Sequence, residues 1–362
     1  MASFKTLLLF TSFHIASMSY NVAGELLKGH DLSSVALMET KEGAKWISTS
    51  GENTTIETIL GDGGMNTVRL RLWTAGDYDL EYTLALAQRF SKAGYKIFLV
   101  LHFSDTWADP SNQAIPSGWN SGSIVDLAAE VQKYVASTLK AFTDGGVKIE
   151  ILSLGNEITN GFLFPVGKIT NDFSAFAKLW HAARQGVTDA VSAGTARPQV
   201  MIHLHNGWKS ETVTWFFKGL FAEGTVTTDD VDAFGFSFYP YYGTDATLDA
   251  LTSSLTKLAE TYGKPIYIAE TDWPSQCSSV SVTLSESFPV SAEGQRQWVA
   301  AIIGVLESLP RHLGAGILYW EPAYLKVPGL GSACESALLF SVYWKTWPTT
   351  YATALPSVNM FV

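Results

Sequence analysis

Short runs of β-type apolar residues alternate along this chain with longer stretches in which apolar residues recur every three or four positions. The runs are LLKGHD ending at Asp31, TVRLRL from Thr67, KIFLVLH from Lys96, IEILSL from Ile149, QVMIHL from Gln199, AFGFSF from Ala233, PIYIA from Pro265 and AGILYW from Ala315. Runs this apolar on successive residues predict strands buried on both faces. Between them, DLEYTLALAQRFSKAG gathers Leu80, Leu84, Leu86, Ala87 and Phe90 on one helical face and stops at Gly94. DLAAEVQKYVASTLKAFTDGG stops in the same way at Gly145 and Gly146.

Apolar strands alternating with amphipathic helices imply a parallel sheet covered by helices, and eight such units predict a single-domain (β/α)8 TIM barrel. A doubly wound open sheet is the alternative. It would place a glycine-rich phosphate turn after the first strand, and KGHDLSS is no such turn. No repeat or low-complexity linker marks a second domain.

The first residues break the pattern. MASFKTLLLFTSFHIASMSYN has Lys5, an apolar stretch from Leu7 to Ala16 and small residues at Ser17 and Ser19. This is the layout of a secretory signal peptide over residues 1–19, with residues 20–362 as the (β/α)8 domain; a buried N-terminal helix is the other reading. The stretch is too short to span a membrane, and no later segment has 18 consecutive apolar residues, so a soluble, secreted, extracellular protein is expected. In that oxidising setting Cys277 and Cys334 are expected to form one disulfide, with two free buried thiols as the alternative. The triplet NTT at Asn53 is an acceptor site for N-glycosylation.

Composition adds two constraints. Hydrophobic residues make up 47% of the chain and charged ones 16%, enough for a large core. The net charge of −10 argues against a nucleic-acid partner, since phosphate neutralisation needs a basic surface. The 12 tryptophans exceed what a core of this size needs, so some are expected at the surface.

In a barrel of this kind the site is built at the C-terminal ends of the strands. Those ends carry Asp31; Arg69, Arg71 and Trp73; His102, Asp105 and Trp107; Asn156 and Glu157; His203, His205 and Asn206; Ser237 and Tyr239; Glu270, Asp272 and Trp273; and Trp320 and Glu321. A lone strand-end glutamate has a bland alternative as a helix cap. Glu157 and Glu270, however, each end a very apolar run, after the fourth and seventh strands. Paired carboxylates suit glycoside hydrolysis, about 5 to 5.5 Å apart in retaining enzymes, and rim aromatics suit stacking on sugar faces.

The motifs GMNTVRLRLW, LHFSDTWADPSNQAIPSGW, LSLGNEITNG, MIHLHNGW, FGFSFYPYYG, AETDWPSQC and LYWEPAY together resemble glycoside hydrolase family 53, the arabinogalactan endo-β-1,4-galactanases, in its fungal type. The likeness runs from about Lys28 to about Ala337. It implies Glu157 as general acid/base, Glu270 as nucleophile, Asn156 on the sugar 2-hydroxyl, Tyr239 holding the nucleophile and Arg69 keeping it ionised. His102, Trp107 and Trp320 match positions lining the cleavage subsite, with Trp320 beneath the sugar; Asp105 and Trp273 are read as wall residues, with a structural role as the equal alternative. HLHN at His203 to Asn206 departs from the acidic residues of fungal members, so His205 is placed among the substrate contacts by position alone.

The resemblance also implies a Cys277–Cys334 bridge clamping the loops after strands seven and eight. Some bacterial relatives bind calcium in a longer insertion there; PSQCSSVSVTLSESF is short on acidic residues, and neither a metal nor a cofactor is expected. The implied activity is retaining hydrolysis of β-1,4-galactan by a secreted monomer. Two rivals remain: a clan-related retaining β-glycanase acting on mannan, xylan or β-glucan, and a non-catalytic carbohydrate-binding protein.

Overall fold

Every one of the eight apolar runs forms a strand in the computed structural model, which describes residues 25–279, 281–345 and 349–362. The expected signal peptide over 1–19 lies outside the described residues. The strands are β1 Leu27–Asp31, β2 Thr67–Leu72, β3 Lys96–Leu101, β4 Ile149–Leu154, β5 Gln199–Leu204, β6 Ala233–Ser237, β7 Ile266–Thr271 and β8 Gly314–Tyr319. All neighbours pair in parallel. They close in the order β1-β8-β7-β6-β5-β4-β3-β2, so the chain is a single-domain (β/α)8 TIM barrel.

The helices are α1 Val35–Lys41, α2 Ile56–Asp62, α3 Leu80–Lys92, α4 Ile124–Asp144, α5 Ser174–Ser192, α6 Ser210–Ala222, α7 Leu248–Tyr262 and α8 Ala292–Ser308. Side-chain caps set several starts: Asp79 accepts from the Tyr82 amide at α3, and Ser123 from the Asp126 amide at α4. In α3 the buried face is Thr83, Leu86, Ala87 and Phe90, with Leu84 partly covered. Leu80, expected on that face, is instead 36% exposed, because it opens the helix before the first full turn reaches the barrel.

The helices are not spread one per strand. Both α1 and α2 lie between β1 and β2, and among the described residues no α-helix follows β8. A second sheet joins the two ends of the sequence: Ala44–Ile47 and Asn53–Thr54 from the first crossover pair with Phe340–Trp344 and Thr350–Ala354. Trp46 and Phe340 meet on its inner side at 5.1 Å between ring centroids. Asn53 sits exposed on its edge strand, where a glycan has room.

The C-terminal segment also seals the N-terminal end of the barrel. Val358, Met360 and Phe361 are buried, the Phe361 amide donates to Gly63 O at 3.3 Å, and Lys28 Nζ donates to Phe361 O at 3.2 Å. The Phe361 ring lies 5.1 Å from that of His30, whose burial without a hydrogen-bond partner pushes its pKa down to about 3.

Inside the barrel, side chains change character with height. The lower layers are an apolar cluster of Leu27, Phe98, Val100, Ile151, Met201, Ala233, Tyr267, Ala269 and Leu318. Above them, the period-two alternation along each strand delivers Asp31, Arg69, Arg71, His203 and Ser237, all buried. Strand β7 departs from the alternation. Its register with β6 slips between Phe236↔Ile268 and Ser237↔Glu270, leaving Ala269 as an extra residue. Ala269 and Glu270 therefore both face inward, while Thr271 turns outward to accept from Trp298 Nε1 of α8 at 2.8 Å.

Candidate active site

A cleft of about 480 Å³ opens at the C-terminal end of the barrel. Glu157 and Glu270 both line it, with Arg69, Arg71, His102, Trp107, Asn156, His205, Ser237, Tyr239 and Trp320. One guanidinium ties the two strand ends together. Arg69 Nη2 donates to Glu270 Oε1 at 2.6 Å and to Asn156 Oδ1 at 2.8 Å, while Nη1 bonds Asp31, its register partner on β1. The Tyr239 hydroxyl donates to the other Glu270 oxygen at 2.9 Å.

Glu157 reaches the cleft by a different route. Strand β4 ends at Leu154, Gly155 turns the chain at φ +103°, and Glu157 follows in the left-handed region at φ +49°. A Cβ on Gly155 would sit 2.5 Å from Ile158 Cγ2, so the turn needs glycine both for its φ and for its space. Asn156 is fixed in both directions: its Nδ2 donates to Ala108 O at 2.8 Å, and its carbonyl O accepts from Gln113 Nε2 at 2.8 Å.

The two carboxyls experience unlike surroundings. Burial first, and then the negative charge of Glu270, push Glu157 up to about 8, so it carries a proton at neutral pH. Burial raises Glu270 too, but Arg69 and the Tyr239 hydroxyl pull the other way. The two carboxyls thus differ in what stabilises their charge, the asymmetry that acid–base chemistry by a carboxyl pair requires.

Around the pair, His102 is kept neutral by burial and by Arg71. Its Nδ1 accepts from Trp73 Nε1 and from the Ala108 amide, both at 3.2 Å, which leaves its Nε2–H for the cleft. Arg71 bonds Glu321 and lies between two rings, 4.3 Å from the centroid of Trp107 and 3.9 Å from that of Tyr78. Trp107 is 36% exposed and stands 6.0 Å from half-buried Trp320, so the two indoles form an aromatic wall. His205 lines the opposite part of the cleft, its Nδ1 against Thr159 Oγ1 at 2.7 Å.

Two residues expected as walls are elsewhere. Trp273 is wholly buried, donates to Pro289 O at 2.8 Å and packs on Trp298 and Phe288. It faces the helix layer because the chain leaving β7 has already turned outward at Thr271. Asp105 is a loop staple, accepting from Thr74 Oγ1 at 2.5 Å and the Ser117 amide at 2.8 Å.

Other cleft residues escaped sequence reasoning: Asp109, Pro110, Tyr242, Leu330 and Gly331. All come from loops well past the strand ends, where periodicity carries no signal. Tyr242, 51% exposed in the run YPYYG, was the readable one. Leu330 and Gly331 belong to the loop held by the Cys277–Cys334 disulfide, which joins the segments after β7 and β8.

A parallel eight-stranded barrel with two buried carboxyls of unlike environment and indoles at its mouth has the make-up of a glycoside hydrolase. Residues 27–361 match the sequence profile of glycosyl hydrolase family 53, and the chain belongs to that family. It is 41% identical over 324 residues to arabinogalactan endo-β-1,4-galactanase A of Emericella nidulans, covering 88% of this chain and 90% of the relative. Against the arabinogalactan endo-β-1,4-galactanase of Humicola insolens identity is 37%, covering 92% and 98%. A solved fungal β-1,4-galactanase structure superimposes with a TM-score of 0.86 at 35% identity, over 93% of this chain and 99% of the other.

Proposed function

We propose that this protein is a secreted endo-β-1,4-galactanase that hydrolyses the galactan of type I arabinogalactan, a pectin side chain, with retention of configuration. The carrying observation is the unequal pair: Glu270 held by Arg69 and Tyr239, and Glu157 proton-bearing across the same cleft. The galactanase activity of relatives near 40% identity supports the choice of substrate.

In the first step a Glu270 oxygen attacks C1, the bond from C1 to the departing O4 breaks, and the Glu157 proton passes to that O4. In the second, water attacks C1 from the vacated side, gives a proton to Glu157, and the Glu270 ester bond breaks. Asn156 is placed for the 2-hydroxyl, and Trp320 and Trp107 for the sugar face. Each residue needs only its own proton or hydrogen bond.

The test is hydrolysis of β-1,4-galactan, followed by reducing-end assay with the first anomer identified by proton NMR. Release of the β-anomer first is the expected result; first release of the α-anomer would refute retention. Preferential cleavage of mannan, xylan or β-glucan would move the substrate assignment within the clan, and absence of any hydrolysis would leave a binding protein.

A further inference from the structure

Glu321 takes no part in the chemistry above, yet its carboxyl is wholly buried and the groups that meet it are donors. Arg71 Nη1 bonds Oε1, Ser34 Oγ donates to the same oxygen at 2.8 Å, and the Ser34 amide reaches Oε2 at 3.4 Å. Arg71 Nη2 donates to Ser34 Oγ at 2.8 Å, so glutamate, serine and arginine close a ring of contacts. Ser34 spends its one proton on Glu321. That leaves Tyr78 to donate across the 2.8 Å contact between the two hydroxyls.

The ring joins adjacent strand ends. Glu321 follows β8, Ser34 follows β1, Arg71 lies near the end of β2 and Trp107 follows β3, and these four strands are neighbours in the barrel. The last link is a stack: the Arg71 guanidinium is 4.3 Å from the Trp107 ring centroid and 3.9 Å from that of Tyr78. At the other end, Glu321 has φ +45° and precedes Pro322, a backbone state that side chains oppose and a following proline opposes further. The carboxyl contacts hold this turn, which leaves Trp320, one residue earlier, lining the cleft. Among the described residues, the other carboxylate within ion-pair distance of Arg71 is Asp31, at 3.6 Å, and Asp31 already pairs with Arg69.

We infer that Glu321 is a positioning residue for substrate binding: by holding Arg71 under Trp107 it fixes one half of the Trp107–Trp320 wall relative to the other. The two indoles come from loops after β3 and β8, 6.0 Å apart between ring centroids, and this buried ion pair ties their supports together. Without the Glu321 charge, Arg71 is drawn toward Asp31 instead of being held against the indole. The inference rests on the cleft being the sugar-binding site proposed above.

The experiment is a double-mutant cycle of Glu321→Gln with Trp107→Ala, measured on β-1,4-galactan at pH 8, above the value of about 7 to which burial draws the Glu321 carboxyl. Glutamine keeps the shape of the side chain and removes its charge. KM is expected to rise about fivefold to tenfold with kcat within about twofold of wild type, the pattern of a lost binding contact. In the Trp107→Ala background the same substitution should change KM by less than about twofold. An unchanged KM, a loss confined to kcat, or an equal KM rise without the Trp107 indole overturns the inference, since a merely structural ion pair acts whether or not that ring is present. If Glu321→Gln does not fold, Arg71→Lys carries the test with the same expectations, because lysine keeps the charge but lacks the flat face that stacks. Fluorine-19 NMR of fluorotryptophan-labelled free enzyme, with Trp107 assigned by its substitution, separates this inference from the functional reading. Should wild type leave galactan uncut, a Trp107 signal displaced by Glu321→Gln keeps the positioning role and sinks the substrate assignment, whereas an unmoved signal overturns the positioning role itself.

Discussion

Asn156 and Glu157 are neighbours in sequence, yet one is held by hydrogen bonds with Arg69, His203 and Gln113 and the other is left to titrate. That contrast sets the kinetic expectation. Glu157→Ala is expected to lower kcat/KM on galactan by about 10²- to 10⁴-fold, the usual worth of a general acid, and much less on an aryl galactoside with an activated leaving group. Glu270→Ala should abolish both activities, because no leaving group compensates for a missing nucleophile. Equal losses for Glu157→Ala on the two substrates would remove it from the acid role.

Stability carries the same signature. Burial pushes Glu157 and Asp272 up to about 8 and Glu321 up to about 7, whereas the unfolded chain releases such protons near the ordinary carboxylate value of about 4. Between those limits the folded state holds more protons than the unfolded one, so stability falls as pH rises through the window. Glu157→Gln removes one such group. Its Tm should gain on wild type steadily from pH 5 to pH 8.5, as read by calorimetry; a difference that does not change with pH would contradict the assignment.

At the scale of elements, the eight strands were legible because a strand buried on both faces has no polar alternation to confuse its reading. The carboxyl pair was legible for a related reason: a charged residue directly after such a run stands out. What period and composition cannot show is where the alternation slips. The extra residue Ala269 is invisible in PIYIAET, yet it decides that Glu270 faces the cleft and, two steps on, that Trp273 faces α8. Of the two roles open to Trp273 from its sequence position, this slip gives it the structural one. The second sheet was missed because its strands are two to five residues long and come from opposite ends of the chain. The turn after β4 yields a further prediction. Gly155→Ala forces a methyl group against Ile158 at φ +103°, and is expected to cost about 1 to 3 kcal/mol in urea denaturation while also lowering kcat. Undiminished activity would show that Glu157 does not depend on this turn.

For the whole molecule, with no α-helix after β8 among the described residues, the C-terminal segment becomes part of the barrel's closure. Val358, Met360 and Phe361 each bury an apolar side chain, and burial of such a side chain is worth about 1.5 to 3 kcal/mol. Deleting residues 356–362 is therefore expected to remove on the order of 5 kcal/mol, comparable to the whole stability of many domains. Thermal melting would read this as a large drop or loss of the transition, and a melting point within a few degrees of wild type would show that the segment is dispensable. The same contacts fix where the described chain starts and stops. Lys28 and Phe361 meet at the floor of the barrel, while the cleft opens at the opposite end. A linker, tag or anchoring surface attached at residue 25 or at Val362 would leave from the floor, so an immobilised enzyme would present its mouth outward to a polymer too large to diffuse underneath it.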